Sequence, residues 1–335
     1  MKRKKKLSRI LTFFLSLTTR ASLTYSSMSS AVILFSGQGA QNVGMGKDLA
    51  ENYPVAKALF AEADVALGFS LSEIMFEGPS DELMKTSHCQ PALYLHGLAC
   101  LAVLRERVPS FTPVAAAGLS LGEFTAHAAA GTFSFADGLK VVELRGQFME
   151  EACDATKGAM AAMIGGTPEA VKALAAECDV DVANFNAPGQ IVVSGSEEGV
   201  DKAVAGAKAA GIKMAKKLNV AGAYHSRLMQ TAQDKLAGVL YGTAVNESNI
   251  PVVSNFKGGI VNGADEIRET LEKQVTGSVR WVECIEALIA EGHTTFIELG
   301  PGRLIAGMMK RINKEATVIC VEDIASLDAA VVALS

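Results

Sequence analysis

Short apolar runs alternate with longer amphipathic stretches from residue 31 onward. The runs at residues 31–35 and 114–118 contain no charged residue, which is typical of strands buried on both faces of a parallel sheet. The intervening stretches predict helices, for example over residues 55–67 and over residues 91–107, with Pro91 at the first helical position. The alternation therefore predicts an α/β fold with a parallel-sheet core.

The pattern changes between residues 158 and 220, where the predicted order becomes strand, helix, strand, strand, helix, strand. This order is typical of a ferredoxin-like unit, and its last strand is predicted over residues 212–220. The simplest division is a large α/β-hydrolase-like domain, formed by residues 30–155 and 222–335, with a small ferredoxin-like subdomain inserted at residues 156–221. The groove between them is the expected ligand site.

The beginning of the chain differs in composition from the rest. Residues 1–29 hold seven Lys and Arg residues and no acidic residue, with an apolar stretch at 10–17 and hydroxyl-rich sequence after it. This composition predicts a removable targeting presequence over residues 1–29, since the apolar stretch is too short to span a bilayer. We therefore expect an organellar protein. A translation start at Met28, which would make the protein cytoplasmic, stays open as the alternative.

Charge and cysteine content narrow the possible partners. Without the seven basic residues of the leader, the formal charge of −5 becomes −12. A charge of this sign argues against nucleic acid, or an anionic membrane, as a partner of the mature chain. The six cysteines are scattered, with no Cys-x-x-Cys pair and no Cys/His cluster at ligand spacing. Neither a disulfide framework nor a metal site is expected.

The run Gly118-Leu119-Ser120-Leu121-Gly122 follows an apolar strand and precedes a predicted helix. Glycines at this spacing permit a sharp turn that exposes the serine hydroxyl at the end of a sheet. The helix that follows offers backbone N–H groups to a developing oxyanion. The pattern therefore predicts Ser120 as a nucleophile, and Glu123, in the first helical turn, as a partner of the helix dipole.

A serine nucleophile needs a general base, and the chain has only five histidines. His127 lies seven residues beyond Ser120, which on a helix is about 10 Å along the axis and too far to accept its proton. His225 lies where the inserted subdomain rejoins the large domain and should border the groove. Three others occupy apolar or turn positions, so His225 is the predicted base. No sequence pattern identifies a carboxylate that would orient it.

Taken together, these motifs resemble the malonyl-CoA:acyl carrier protein transacylase family, in chain order and from residue 31 to about residue 312. A single Gly-x-Ser-x-Gly would be weak evidence, whereas seven ordered motifs are specific. The motifs are Phe35-Ser-Gly-Gln-Gly-Ala-Gln41, Gly118-Leu-Ser-Leu-Gly-Glu123, Leu144-Arg-Gly-Gln147, Asn184-Phe-Asn-Ala-Pro-Gly189, Ala223-Tyr-His-Ser226, Val279-Arg-Trp281 with Gln274 ahead of it, and Gly300-Pro-Gly302.

The resemblance implies a ping-pong transfer through a malonyl ester of Ser120, with His225 as the base. It implies two partners, malonyl-CoA and the phosphopantetheine thiol of holo-acyl carrier protein. It also implies no cofactor, because coenzyme A enters as a thioester substrate. A monomer is expected, and fatty-acid synthesis is the expected pathway.

The resemblance also implies roles for four other residues. Backbone amides of Gln38 and Leu121 would bind the oxyanion. The backbone carbonyl near Gln274 would orient the histidine, which agrees with the missing carboxylate. Arg145 matches the arginine that pairs with the free malonyl carboxylate, a role that suits a planar guanidinium.

The chain departs from the common bacterial pattern of this family at two positions. Leu119 stands where most bacterial members have histidine, and Ser36 stands where they have proline. Leucine before the serine resembles the plant and algal form, so a plastid is expected in preference to a mitochondrion. Tyr224, beside the base, resembles the malonyl-selective members because an aromatic ring there narrows the pocket around the α-carbon.

Three alternatives stay open at this point. A serine hydrolase or thioesterase of the α/β-hydrolase type would share the elbow but release its acyl group to water. A non-catalytic interaction subunit would not need an intact nucleophile, base and arginine. An acyltransferase of the same chemistry could also serve polyketide synthesis.

Overall fold

The structure is a computed structural model that describes residues 30–334, so the predicted presequence lies outside the described residues. Within that range the chain forms ten strands and fourteen α-helices. The strands are β1 (Ser30–Phe35), β2 (Thr112–Gly118), β3 (Gly158–Ile164), β4 (Asp181–Ala187), β5 (Gln190–Ser196), β6 (Met214–Lys217), β7 (Val252–Ser254), β8 (Gly259–Val261), β9 (Thr295–Leu299) and β10 (Thr317–Val321).

The helices occupy the segments between these strands. They are α1 (Lys47–Asn52), α2 (Pro54–Leu67), α3 (Leu71–Glu77), α4 (Ser80–Met84), α5 (Thr86–Arg107), α6 (Leu121–Ala129), α7 (Phe135–Ala155), α8 (Pro168–Glu177), α9 (Glu197–Gly206), α10 (Gln230–Gly242), α11 (Ala264–Lys273), α12 (Trp281–Ala290), α13 (Leu304–Ile312) and α14 (Ile324–Leu334). A short 3₁₀ turn, Arg227–Met229, precedes α10.

The larger sheet has the strand order β10-β9-β1-β2-β7-β8. Strand β1 pairs in parallel with both β2 and β9, and only the edge pair β7–β8 is antiparallel. Val32, Ile33 and Leu34 of β1 are completely buried, as the apolar run predicts for a strand covered on both faces. The predicted α/β fold with a parallel-sheet core is confirmed. Strands β8 and β10 were not predicted: β8 has only three residues, and β10 is a five-residue apolar strand at the opposite edge of the sheet.

A second, separate sheet has the order β4-β5-β3-β6, and all of its pairings are antiparallel. Helices α8 and α9 complete a β-α-β-β-α-β segment, in the order that the sequence predicted. Strand β6 is shorter than the predicted 212–220, since it pairs with β3 only from Met214 to Lys217. Ile212 is buried in the core of this segment and lies outside the ladder.

Strand β4 of the small sheet is joined by backbone hydrogen bonds to the segment that precedes α12. The N–H of Phe185 in β4 donates to the carbonyl of Val279 at 2.9 Å, and the N–H of Val279 donates to the carbonyl of Ala183 at 2.8 Å. This parallel bridge continues the small sheet onto the segment that enters α12.

Helix α5 begins five residues earlier than predicted, so Pro91 lies inside the helix and not at its first position. The additional turn is stabilised by burial, because Thr86, Cys89 and Gln90 are each at most 1% exposed. Gly146 of α7 packs directly against the carbonyl of Thr86, which brings the two helices into close contact. Packing therefore outweighs the tendency of proline to start a helix. Among the described residues, no helix is both long enough and apolar enough to cross a membrane.

Helix α7 begins at Phe135, where the sequence predicts a helix over residues 135–153 that is entered through Ser134. The hydroxyl of Ser134 accepts a hydrogen bond from the N–H of Asp137 at 3.0 Å, which is a side-chain N-cap. The cap fixes the register of a 21-residue helix whose buried face includes Arg145. An N-cap visible in the sequence thus positions a residue that belongs to the groove.

Burial of neutral histidines makes the stability of this fold dependent on pH. Burial lowers the pKa of His127 to about 3, so the folded chain excludes a proton that the unfolded chain binds below about pH 6.5. Stability is complete above pH 6.5 and declines as the pH falls from there towards 3. In the His127→Gln protein, the free energy of unfolding should decline less steeply as the pH falls, by roughly 1 kcal/mol per pH unit. Urea unfolding of the parent and the variant at pH 7.0 and 5.5 measures these free energies. A difference between the two proteins that is the same at both pH values would contradict the prediction.

Candidate active site

Ser120 occupies a sharp turn between β2 and α6. Its backbone has φ of 54° and ψ of −106°, a region that residues with a side chain rarely adopt. The N–H of Ser120 donates to Oδ1 of Asn255 at 2.6 Å, and its carbonyl accepts from Nε2 of Gln274 at 2.9 Å. Two side chains from distant parts of the chain therefore hold the unusual conformation.

The turn fits because of a close approach at Gly122. A Cβ atom at this position would collide with the backbone carbonyl of Phe35 at the end of β1. The N–H of Leu119 donates to that same carbonyl at 3.0 Å. The absence of a side chain at Gly122 thus lets the first turn of α6 lie directly against β1, as the glycine spacing predicted.

The structure brings His225 next to Ser120, as predicted by elimination. Nε2 of His225 lies 2.8 Å from Oγ of Ser120, and Nδ1 lies 2.8 Å from the backbone carbonyl of Gln274. Because a carbonyl can only accept, Nδ1 carries the proton and Nε2 is free to accept one from the serine. The carbonyl of Gln274 takes the position that a carboxylate occupies in many serine enzymes.

His225 is also neutral at physiological pH. It is 4% exposed, and burial together with the positive charge of Arg145 lowers its pKa to about 4. A neutral imidazole can accept the serine proton, whereas an imidazolium cannot. The other histidines lie elsewhere: His127 contacts Thr132, and His96 is buried near Cys100.

Arg145 is 1% exposed, although arginine is seldom buried. Its Nη2 lies 3.1 Å from Oγ of Ser120 and 2.8 Å from Oε1 of Gln274, and its Nη1 donates to Oε1 of Gln90 at 2.6 Å. Burial lowers the pKa of Arg145 to about 10, and the Glu123 carboxylate opposes this shift. The guanidinium stays charged at neutral pH and lies beside the serine hydroxyl, where a substrate anion can reach it.

Gln38 and Leu121 both line the cavity that contains Ser120. Leu121 is the first residue of α6, so its N–H has no carbonyl partner within the helix. Gln38 follows Gly37, whose Cβ position would collide with the carbonyl of Leu119, so this loop lies against the elbow. The two backbone donors predicted to bind an oxyanion therefore belong to segments in contact with each other.

The cavity has a volume of about 520 Å³ and lies between the two sheets, where the groove was expected. Apolar residues from both sides line it, among them Met149, Met160 and Leu218. The hydroxyl of Tyr224 lies 2.6 Å from Oγ1 of Thr86, which holds the ring in the cavity wall beside His225. The ring thus occupies the position expected of a group that narrows the pocket.

Three residues of the site were missed or misread by sequence reasoning. Glu123, assigned to the helix dipole, is completely buried, and its Oε2 accepts from the N–H of Asn255 at 2.9 Å and from Nε2 of Gln274 at 2.6 Å. Asn255 was not recognised, and neither was Gln90. The partners of these three residues within the site lie 55 to 151 residues away along the chain, so no local pattern indicates them.

The two positions that differ from the common family pattern are packed and not exposed. Leu119 packs against an apolar cluster on the β1–β2 face of the sheet. Ser36 is 4% exposed, and Gly300 lies so close to its hydroxyl that a Cβ atom there would collide with it. Neither residue supplies a titratable group to the site.

A serine hydroxyl bonded to a neutral imidazole, with backbone donors and a buried cation beside it, is an arrangement that can support acyl transfer through the serine. The family model described as "Acyl transferase domain" matches residues 32–330. The chain belongs to this acyl transferase family.

The similar proteins are malonyl CoA-acyl carrier protein transacylases. The Bacillus subtilis enzyme is 43% identical over 309 residues, covering 91% of this chain and 97% of the relative. The Escherichia coli K12 enzyme is 38% identical, covering 90% and 99%. A Vibrio cholerae acyl carrier protein S-malonyltransferase has a TM-score of 0.85 at 40% identity, covering 89% and 99%.

A further solved structure holds a type II polyketide acyl carrier protein in complex with its malonyl-transacylase. It has a TM-score of 0.87 at 39% identity and covers 90% of this chain and 99% of the matched chain. The curated relatives named above are bacterial, so the plant or algal affinity stays a prediction.

The close approach at Gly122 yields a test with an internal control. Alanine normally stabilises a helix by up to about 1 kcal/mol relative to glycine, and Gly238 in α10 has open space around it, so Gly238→Ala should be stabilising. Gly122→Ala should destabilise by about 1–3 kcal/mol, because its methyl group meets the Phe35 carbonyl. Urea unfolding measures both changes, and a Gly122→Ala protein as stable as Gly238→Ala would refute the constraint.

Proposed function

We propose that this protein transfers the malonyl group of malonyl-CoA to the phosphopantetheine thiol of acyl carrier protein, through a malonyl ester of Ser120, and supplies fatty-acid synthesis. The observation that carries the proposal is the buried, charged guanidinium of Arg145, 3.1 Å from the serine hydroxyl. A cation held there suits an acyl group that ends in a carboxylate. The relatives named above carry the same activity in their names.

In the first half-reaction, Oγ of Ser120 attacks the thioester carbonyl while Nε2 of His225 accepts its proton. The carbonyl of Gln274 then stabilises the imidazolium through Nδ1, which lies 2.8 Å from it. The developing oxyanion is stabilised by the N–H groups of Gln38 and Leu121. When the C–S bond breaks, His225 returns the proton to the sulfur and coenzyme A leaves as the thiol.

The second half-reaction reverses the first with a different thiol. His225 accepts the proton of the phosphopantetheine thiol, and the thiolate attacks the ester carbonyl of malonyl-Ser120. The C–O bond breaks, and the serine hydroxyl recovers its proton from His225. No step changes an oxidation state, so we propose that the reaction needs no cofactor beyond the thioester substrate.

Arg145 would accept the malonyl carboxylate by exchanging one of its present partners. Its Nη2 contacts the Ser120 hydroxyl and the Gln274 side chain, while Nη1 is held by Gln90. Retention of the Gln90 contact would keep the guanidinium plane oriented as the substrate binds. The Tyr224 ring beside His225 would favour malonyl over acyl groups branched at the α-carbon.

We also propose a more specific assignment for each of the two predicted domains. The small sheet, with its order β4-β5-β3-β6 and two helices, supports a ferredoxin-like subdomain at residues 156–221. The strand–Ser120–helix elbow supports an α/β-hydrolase-like domain at residues 30–155 and 222–335. We further propose a monomer, a presequence at residues 1–29, and an organellar location, with a plastid preferred.

The proposal predicts a covalent intermediate. Protein lacking residues 1–29 and mixed with malonyl-CoA should gain the mass of one malonyl group, and Ser120→Ala should gain none, because it lacks the hydroxyl that attacks. Intact-mass spectrometry within seconds of mixing measures the adduct. Free malonate accumulating without an adduct would instead indicate a hydrolase.

The carboxylate-binding role of Arg145 predicts a change in selectivity and not only a loss of rate. Arg145→Ala should lower kcat/KM for malonyl-CoA by roughly 10- to 100-fold, since a hydrogen bond to a charged group is worth about 1.5–3 kcal/mol. Transfer from acetyl-CoA should rise, because the uncharged cavity no longer favours an anion. Parallel assays with both thioesters give the ratio, and equal losses on the two would contradict the role.

A further inference from the structure

Glu123 is a completely buried carboxylate three residues after Ser120, on the helix that begins at the nucleophile. One of its oxygens, Oε2, accepts two hydrogen bonds from separate parts of the chain. The N–H of Asn255, which follows β7, donates to it at 2.9 Å, and Nε2 of Gln274, which follows α11, donates at 2.6 Å. The carboxylate therefore ties α6 to two loops at once.

Those two loops hold the nucleophile and the base. The carbonyl of Gln274 orients His225, and its side chain binds both the carbonyl of Ser120 and the guanidinium of Arg145. Oδ1 of Asn255 accepts from the N–H of Ser120, and its Nδ2 donates to the carbonyl of Gly118 at 2.8 Å. The groups that orient Ser120 and His225 thus share a single acceptor atom.

A role in packing or in the helix dipole does not account for this arrangement. Complementing the dipole requires only a position in the first turn, whereas this side chain bonds to residues outside its own helix. Burial raises the pKa of Glu123 to about 7, although its hydrogen bonds oppose the shift. A carboxylate is thus kept where an apolar residue would be less costly to bury.

We propose that Glu123 is a positioning residue for acyl transfer, whose Oε2 fixes Gln274 and Asn255 and thereby the geometry of Ser120 and His225. This inference rests on the proposed roles of Ser120 and His225. What it requires is a hydrogen-bond acceptor at the position of Oε2. A glutamine supplies that acceptor without charge, and an aspartate keeps the charge but withdraws the oxygens by one methylene.

The test compares Glu123→Gln with Glu123→Asp. Glu123→Asp should lower kcat for malonyl loading by about 100-fold, since a displacement near 1 Å at a reacting group can have this effect. Glu123→Gln should recover most of that loss and stay within about tenfold of the parent. KM for malonyl-CoA should change by less than about threefold in both variants, because Gln90 still holds Arg145.

Glu298 provides the matched control. It is also a completely buried glutamate, and it accepts from the N–H groups of Ile305 and Ala306 at 2.9 Å and 2.8 Å, away from the cavity. Glu298→Gln and Glu298→Asp should alter the midpoint of thermal unfolding and leave kcat unchanged. If the loss of kcat in the Glu123 variants merely reflected a loss of stability, the Glu298 variants would show a similar loss.

A second readout separates this inference from the proposed function. A fluorophosphonate probe labels an activated serine whatever acyl group the enzyme carries, so its rate reports the geometry of Ser120 and His225 without malonyl-CoA. The expected order is parent, then Glu123→Gln, then Glu123→Asp. If the three proteins are labelled in this order but malonyl-CoA does not load the parent, the proposed function fails and the positioning role stands.

Three results would overturn the positioning role. One is a Glu123→Asp protein as active as Glu123→Gln, which would show that the reach of the carboxylate does not matter. Another is a rise in KM with kcat unchanged. If Glu123→Asp does not fold, Asn255→Ser removes the acceptor for the Ser120 N–H and leaves the carboxylate in place. Its labelling rate should fall about tenfold, and labelling at the parent rate would be the third refuting result.

Discussion

The site depends on holding one residue in a conformation that its side chain disfavours. Ser120, with φ of 54°, places its hydroxyl at the end of the sheet and the N–H of Leu121 at the open end of a helix. This backbone conformation carries a cost of about 1–3 kcal/mol, so the surrounding structure must over-determine it. Asn255 and Gln274 bond to the two sides of the serine backbone, and the contact at Gly122 presses α6 against β1. Gln274 therefore contributes to both tasks, because its side chain helps to fix the serine and its backbone carbonyl orients the base.

The electrostatics of the site follow from excluding water around a single strong cation. Arg145 keeps its charge despite burial, and that charge acts with desolvation to keep His225 neutral. The same cation that suits the carboxylate of the substrate thus also favours the protonation state required of the base. Glu123 lies across the Gln274 side chain from the guanidinium, and its carboxylate opposes the lowering of the Arg145 pKa by burial. An arginine and a glutamate that do not touch are coupled through one amide group.

Much of this fold could be predicted because its signals are local. The apolar run of β1, the period of α7 and the Ser134 cap are each contained within a few residues. Packing determines the rest: burial of Thr86 extends α5 to the N-terminal side of Pro91, and the short edge strand β8 forms by pairing with β7.

Within the site, Ser120 could be predicted from a motif and His225 by elimination among the histidines. Arg145 was not, because a buried arginine has the same local sequence as an exposed one, and only the family resemblance indicated it. The bonds of Glu123 to Asn255 and Gln274 span more than a hundred residues, beyond the reach of any periodicity.

The parallel bridge between β4 and Val279 ties the small sheet to the segment that enters α12. Because Phe185 and Val279 each donate to a carbonyl across this bridge, moving the small sheet away from that segment would break backbone hydrogen bonds. The small sheet is thereby anchored to the segment before α12. Coenzyme A and a carrier protein differ greatly in size, yet both must deliver a thiol to the same serine. With the small sheet anchored in this way, we expect both donors to reach the serine through what they have in common, a long and slender arm, while the bulk of either donor stays outside the cavity.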